Sequence, residues 1–269
     1  MVSKSSAITF LGKKVGYKIR GTGKCLVFLH GFLESMDIWD DFAASLSDEF
    51  KIITTDLPGH GNSELFGEVH SMELMADTVK AVLEHLQIQE CVMIGHSMGG
   101  YVTMEFASKY PEYLRGIGLF HSSVFADTPE GKQNRERTIE IIRNDRQGFI
   151  HSFIPDLFAP SNRSKFSFEI NGLREKASKM SKDSIIASIS GMKERRDHQR
   201  TISIIDVPVM FIMGKEDQRI PINKVIDMVG LPKHSEILIL GDVGHMGYIE
   251  SKGATLEKCL YFARKCFKA

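Results

Sequence analysis

Six short and mostly apolar runs, separated by longer stretches of helical spacing, constrain this chain more than any other feature. The runs cover residues 25–30, 51–56, 90–94, 116–120, 207–213 and 236–240. A strand that is apolar on both faces must be covered on both, which is the condition of a strand inside a parallel sheet. Amphipathic stretches at 37–46, 71–86, 98–109, 221–229 and 251–267 supply the cover. The alternation predicts an α/β fold: a mostly parallel sheet with helices on both faces. Two further runs, 7–11 and 15–20, flank Gly12-Lys13-Lys14 and predict an antiparallel hairpin at one edge. The third helix should end at Tyr110, because a residue before proline is pushed out of helical geometry.

Residues 122–206 break this rhythm, with charged helical patterns punctuated by Pro129, Gly148, Pro155, Pro160 and Gly172. A structureless loop of that length would be exceptional in a compact domain, so the stretch predicts an inserted helical lid. The expected organisation is a first core segment at 1–122, the lid at 123–183 and a second core segment at 184–269, with a helix near 184–195 returning the chain to the sheet.

Lysine plus arginine number 34 and aspartate plus glutamate 34, so no net basic field exists to hold a nucleic acid. Cys25, Cys91, Cys259 and Cys266 show no C-x-x-C spacing, and the first two fall in apolar runs where a thiol packs as a small hydrophobe. Residues Met1 to Ser6 lead into strand-like alternation without the apolar stretch of a secretory signal. No run approaches the ~18 apolar residues of a membrane span. A cytoplasmic protein that engages neither membrane nor nucleic acid is expected.

The chemistry is concentrated in Gly95-His96-Ser97-Met98-Gly99, which joins the run at 90–94 to the helix at 98–109. A serine in a tight strand-to-helix turn needs glycines wherever a Cβ would strike neighbouring backbone. Its hydroxyl is a poor nucleophile at neutral pH and needs a histidine to take the proton, itself oriented by a carboxylate. His245 leaves the last strand in Gly241-Asp242-Val243-Gly244-His245 and alone among ten histidines follows it. His85, His198 and His234 lie in a helix, in a polar stretch and ahead of a strand, where solvated or structural roles are expected. For the carboxylate, Gly214-Lys215-Glu216-Asp217-Gln218 leaves the strand at 207–213 and offers both Glu216 and Asp217, whereas Asp206 precedes that strand. Two backbone N–H groups should face the developing oxyanion: that of Met98 and that of Phe32 in His30-Gly31-Phe32, with the Phe32 ring lining an acyl pocket. No H-E-x-x-H or comparable spacing appears, so neither a metal nor a cofactor is expected.

Taken together, these segments and Asp56-Leu57-Pro58-Gly59-His60-Gly61-Asn62-Ser63 resemble the α/β-hydrolase family over nearly the whole chain. The resemblance implies an eight-stranded sheet, a lid after the sixth strand and a Ser97, Asp217, His245 triad, favouring Asp217 over Glu216. It also makes residues 56–63 a structural turn rather than a phosphate loop. Within the family the chain is similar to small bacterial carboxylesterases with a four-helix cap, to carrier-protein ester hydrolases and to a menaquinone-pathway lyase that eliminates pyruvate. The implied function is a serine hydrolase acting on a small carboxylic ester or related acyl substrate through an acyl-enzyme. One alternative is a lyase or C–C bond hydrolase, with Arg115, Arg143 or Arg146 turned to the pocket. The other is a small-molecule receptor that turns over slowly. Residues 127–200 hold 15 basic and 11 acidic side chains. Such a lid could greet a carboxylate or a carrier-protein surface, although solvated helix faces are the plainer account of the excess.

Overall fold

The structure, a computed structural model, describes residues 4–268. Met1, Val2 and Ser3, which opened the expected N-terminal pattern, lie outside the described residues. Eight strands form one sheet in the order β1-β2-β4-β3-β5-β6-β7-β8. They are β1 (Lys4–Phe10), β2 (Lys13–Arg20), β3 (Cys25–Leu29), β4 (Lys51–Thr55), β5 (Cys91–His96), β6 (Leu114–Phe120), β7 (Val209–Gly214) and β8 (Ser235–Leu240). The β1–β2 hairpin is antiparallel and β2 joins β4 antiparallel; every other pairing is parallel. Every residue of β3, β5 and β7 is buried, as covered parallel strands require. Strand β8 departs from the continuous apolar expectation, because an edge position leaves Ile237 and Ile239 exposed.

Core helices α1 (Asp40–Leu46), α2 (Met72–His85) and α3 (Met98–Lys109) precede the lid. The helix expected at 37–46 divides into a 3-10 turn, Met36–Trp39, and α1. Burial explains the break: Trp39 is wholly buried against Phe28 and Phe42, at ring separations of 4.9 and 5.3 Å. Between β6 and β7 the chain forms α4 (Pro129–Phe153), α5 (Ser167–Ser178), α6 (Lys182–Lys193) and α7 (Gln199–Ile204), with no strand among them. Helix α4 kinks at Asp145 (φ −144°, ψ 79°), whose carboxylate accepts the Gly148 N–H at 2.8 Å. Helix α6 packs against α4, and the lid boundary expected at 183/184 falls within its first turn. Helices α8 (Ile222–Val229), α9 (Gly247–Glu250) and α10 (Lys252–Cys266) complete the core.

The 56–63 segment is spent on structure. Buried Asp56 accepts the Met36 and Asn62 N–H groups, both at 2.8 Å, while Ser63 Oγ donates to the Asp56 carbonyl at 2.6 Å. Cys25 and Cys91 face each other in the β3–β5 register, and all four cysteines are buried and free. Among the described residues, no helix is long and apolar enough to cross a membrane.

Candidate active site

Ser97 sits between β5 and α3 at φ 50° and ψ −114°, a region that costs an L-residue of order 1–3 kcal/mol. Tertiary hydrogen bonds hold it there. Its N–H donates to the Phe120 carbonyl at 2.9 Å, and its carbonyl accepts Ser122 Oγ at 2.8 Å and the Gly100 N–H at 2.9 Å. The flanking glycines are required sterically. A Cβ on Gly95 would strike the Gly99 carbonyl, and one on Gly99 would lie 2.6 Å from the Leu29 oxygen.

His245 and Asp217 meet behind this elbow. His245 Nδ1 lies 2.7 Å from Asp217 Oδ2, with both side chains almost fully buried. Asp217 is fixed on its other side, where Oδ1 accepts the Arg219 and Ile220 N–H groups at 2.8 and 3.0 Å. Glu216, the alternative carboxylate, is exposed. Phe32, Ser97 and His245 line a common cavity of about 300 Å³ between core and lid, closed by Phe149, Phe153 and Leu157. The Phe32 ring meets Phe153 edge-on at 5.8 Å. Among the described residues, the Phe32 and Met98 amides make no loop or side-chain hydrogen bond.

Two features escaped the sequence. The first is His121, whose Nδ1 lies 3.0 Å from the same Oδ2 that holds His245. Burial lowers its pKa to about 4 despite the Asp217 carboxylate, so the ring is neutral near pH 7 and donates through Nδ1. Burial also opposes ionisation of Asp217, but the two imidazoles outweigh it and hold the carboxyl well below the ordinary range. The ligand-type atoms of His121, Asp217 and His245 lie within 4.8 Å of one another, a spacing that these N–H to carboxylate bonds account for.

The second is a buried pair beside the Ser97 elbow. His96 Nδ1 lies 2.9 Å from Glu34 Oε2, and its Nε2 lies 2.9 Å from the His245 carbonyl. Both partners are acceptors, so both ring nitrogens donate and the ring is an imidazolium. Burial disfavours that charge, but Glu34 overcomes it and raises the His96 pKa. Glu34 also accepts the Gly31 N–H at 2.5 Å and Tyr248 OH at 3.0 Å, which completes an ionised carboxylate. Since removing one partner of a buried pair costs about 3 kcal/mol or more, Glu34→Gln is expected to lower the thermal midpoint by roughly 6–12 °C in a chain of this size. Calorimetry checks it; a midpoint within about 2 °C of wild type would show that the pair carries no net charge separation.

Arg115, Arg143 and Arg146 do not reach the cavity. Arg115 pairs with Glu90 at 2.7 Å, Arg143 pairs with Glu140, and Arg146 binds the Met180 carbonyl. Several other lid cations are spent on surface pairs, such as Lys132 with Glu194 and Lys179 with Glu175. The arginines that do line the cavity are Arg135 and Arg219, which sequence spacing did not single out.

A family model described as "alpha/beta hydrolase fold" matches residues 24–252. A thermophilic esterase from Thermogutta terrifontis, in a malate-bound structure, superposes with a TM-score of 0.91 at 28% identity, covering 99% of each chain. A bifunctional esterase/perhydrolase of Acinetobacter calcoaceticus is 26% identical over 216 residues, 73% of this chain and 75% of that one. The dihydrolipoyllysine-residue acetyltransferase component of the acetoin cleaving system of Pseudomonas putida is 25% identical over 248 residues. That match takes in 90% of this chain and 64% of the longer relative.

Proposed function

The chain belongs to the α/β-hydrolase family, and on that premise we propose that it is a serine hydrolase of carboxylic esters or related acyl substrates. The observation that carries this reading is the His245–Asp217 bond of 2.7 Å beside a cavity whose wall presents Ser97 on a strained elbow. Ser97 Oγ attacks the acyl carbon while His245 Nε2 takes the hydroxyl proton. The carbonyl π electrons move to oxygen, and the resulting oxyanion accepts from the Phe32 and Met98 N–H groups. When the C–O bond breaks, His245 returns the proton to the departing alcohol and leaves an acyl-Ser97. Water, deprotonated by His245, adds to the acyl carbon, and the acid departs as Ser97 recovers its proton.

Asp217 holds the His245 Nδ1 proton in place, so that Nε2 is the basic nitrogen. His121 shares the same carboxylate oxygen and keeps Asp217 ionised. With four buried free thiols, the enzyme suits a reducing compartment such as the cytoplasm.

A fluorophosphonate probe tests the reading. Peptide mass spectrometry should place one phosphonyl adduct on Ser97, and short-chain ethyl esters should be hydrolysed with sustained turnover. Folded protein that resists the probe would overturn the proposal. A stoichiometric burst without steady turnover would replace it with the receptor alternative.

A further inference from the structure

Charge around the cavity does not cancel. Glu34 and His96 neutralise each other, as described above. Asp127 is met twice, by Arg135 Nε at 2.8 Å and by Arg195 at 2.7 Å, so that corner carries one surplus positive charge. Arg195 is also held by its stack on the Tyr101 ring, at 4.3 Å from the centroid.

Arg219 adds a positive charge and the ionised Asp217 a negative one, so the groups named still sum to one surplus positive charge. The Arg219 guanidinium lies over the Phe153 ring at 4.5 Å, and the residue lines the same cavity as Ser97 and His245. Two carboxylates are near it, and each is committed elsewhere: Asp156 pairs with Arg163 at 3.0 Å, and Asp217 is turned to His121, His245 and two backbone amides. No carboxylate pairs with the Arg219 guanidinium among the described residues. One face of the guanidinium rests on Phe153, and because the residue is exposed its N–H fork is open to a group that enters the cavity. A planar fork of N–H donors matches a carboxylate better than any neutral group.

We infer that the cavity selects acyl substrates bearing a second, ionised carboxylate, which Arg219 receives while the ester carbonyl lies at Ser97. This rests on the serine-hydrolase reading and narrows it to half-esters of dicarboxylic acids and their relatives. Phe149, Phe153 and Arg135 line the same cavity, so the carboxylate would meet two aromatic rings and a further cation beside Arg219.

The test compares monoethyl succinate, glutarate and adipate with the ethyl monoesters of equal chain length, following acid release at constant pH. Wild type should favour the half-esters in kcat/KM, and its KM for them should rise with added sodium chloride while that for neutral esters does not. Arg219→Gln should reduce the ratio of half-ester to neutral-ester kcat/KM by about 10- to 100-fold, chiefly through KM. Arg219→Lys should recover part of that ratio, which a purely structural role for the side chain would not. If Arg219→Gln fails to fold, the salt dependence of the wild type and the Arg219→Lys ratio still decide the matter. Turnover of neutral esters with equal or better kcat/KM than the half-esters, or a ratio unmoved in Arg219→Gln, overturns this inference and leaves the hydrolase reading intact. No turnover of either series, with Ser97 unlabelled by fluorophosphonate, overturns both.

Discussion

Asp217→Asn should lower kcat for any hydrolysed ester by about 10³- to 10⁴-fold while leaving the fold in place. The geometry gives the reason. Asp217 Oδ2 accepts from His245 at 2.7 Å and from His121 at 3.0 Å, and Oδ1 accepts two backbone N–H groups. An asparagine oxygen can serve one of these sides, but not both. If it stays with the backbone amides, an NH₂ group faces the two imidazoles, and His245 must present a bare Nδ1 to it. The Nε2 of His245 is then protonated and cannot accept from Ser97. His121 makes the conflict worse, since its Nδ1–H also loses its acceptor. Circular dichroism should report a native fold, and the rate loss should lie in kcat rather than KM. A variant within about tenfold of wild type would mean that Asp217 does not set the His245 tautomer.

Ser97→Ala should be at least as damaging, with ester hydrolysis down by at least ~10³-fold and fluorophosphonate labelling abolished. Unlike Asp217→Asn, this variant should lose nothing in stability. The hydroxyl supports no part of the turn, which is held by the Ser97 main chain and by the glycines around it. Alanine still occupies a positive-φ position, so the backbone strain is unchanged. A Ser97→Ala protein that keeps wild-type rates would remove the nucleophile from the mechanism altogether. Binding of a half-ester should survive in Ser97→Ala, because the groups that receive the carboxylate lie on other elements.

The comparison between the two variants separates the parts of the site that are local from those that are assembled. The Ser97 elbow was legible because its requirements are met within a few residues: an apolar run, two glycines with no room for a Cβ, and a helix. The family resemblance favours Asp217 over the adjacent Glu216; in the structure Asp217 is buried on His245 while Glu216 is exposed. The helix at 37–46 was misjudged at its start because burial of Trp39 outweighs the local helical pattern. Of the arginines considered for a lyase, Arg115 in β6 and Arg143 in the lid pair with nearby carboxylates and Arg146 binds a backbone carbonyl, all outside the cavity.

The sequence by itself determined the layered α/β architecture, the helical insertion and the glycine-flanked turn at Ser97, because periodicity and steric exclusion act over short stretches of chain. Only the tertiary structure decided what surrounds Ser97. His96 meets Glu34 across 62 residues of sequence, His121 meets Asp217 across 96, and Tyr248 meets Glu34 across 214. Such pairs leave no spacing to read, since a buried polar group needs a partner within hydrogen-bond reach in space and any sequence separation will serve. The same holds for Arg219, whose neighbours in the chain say nothing of Phe153 or of the cavity that its guanidinium faces.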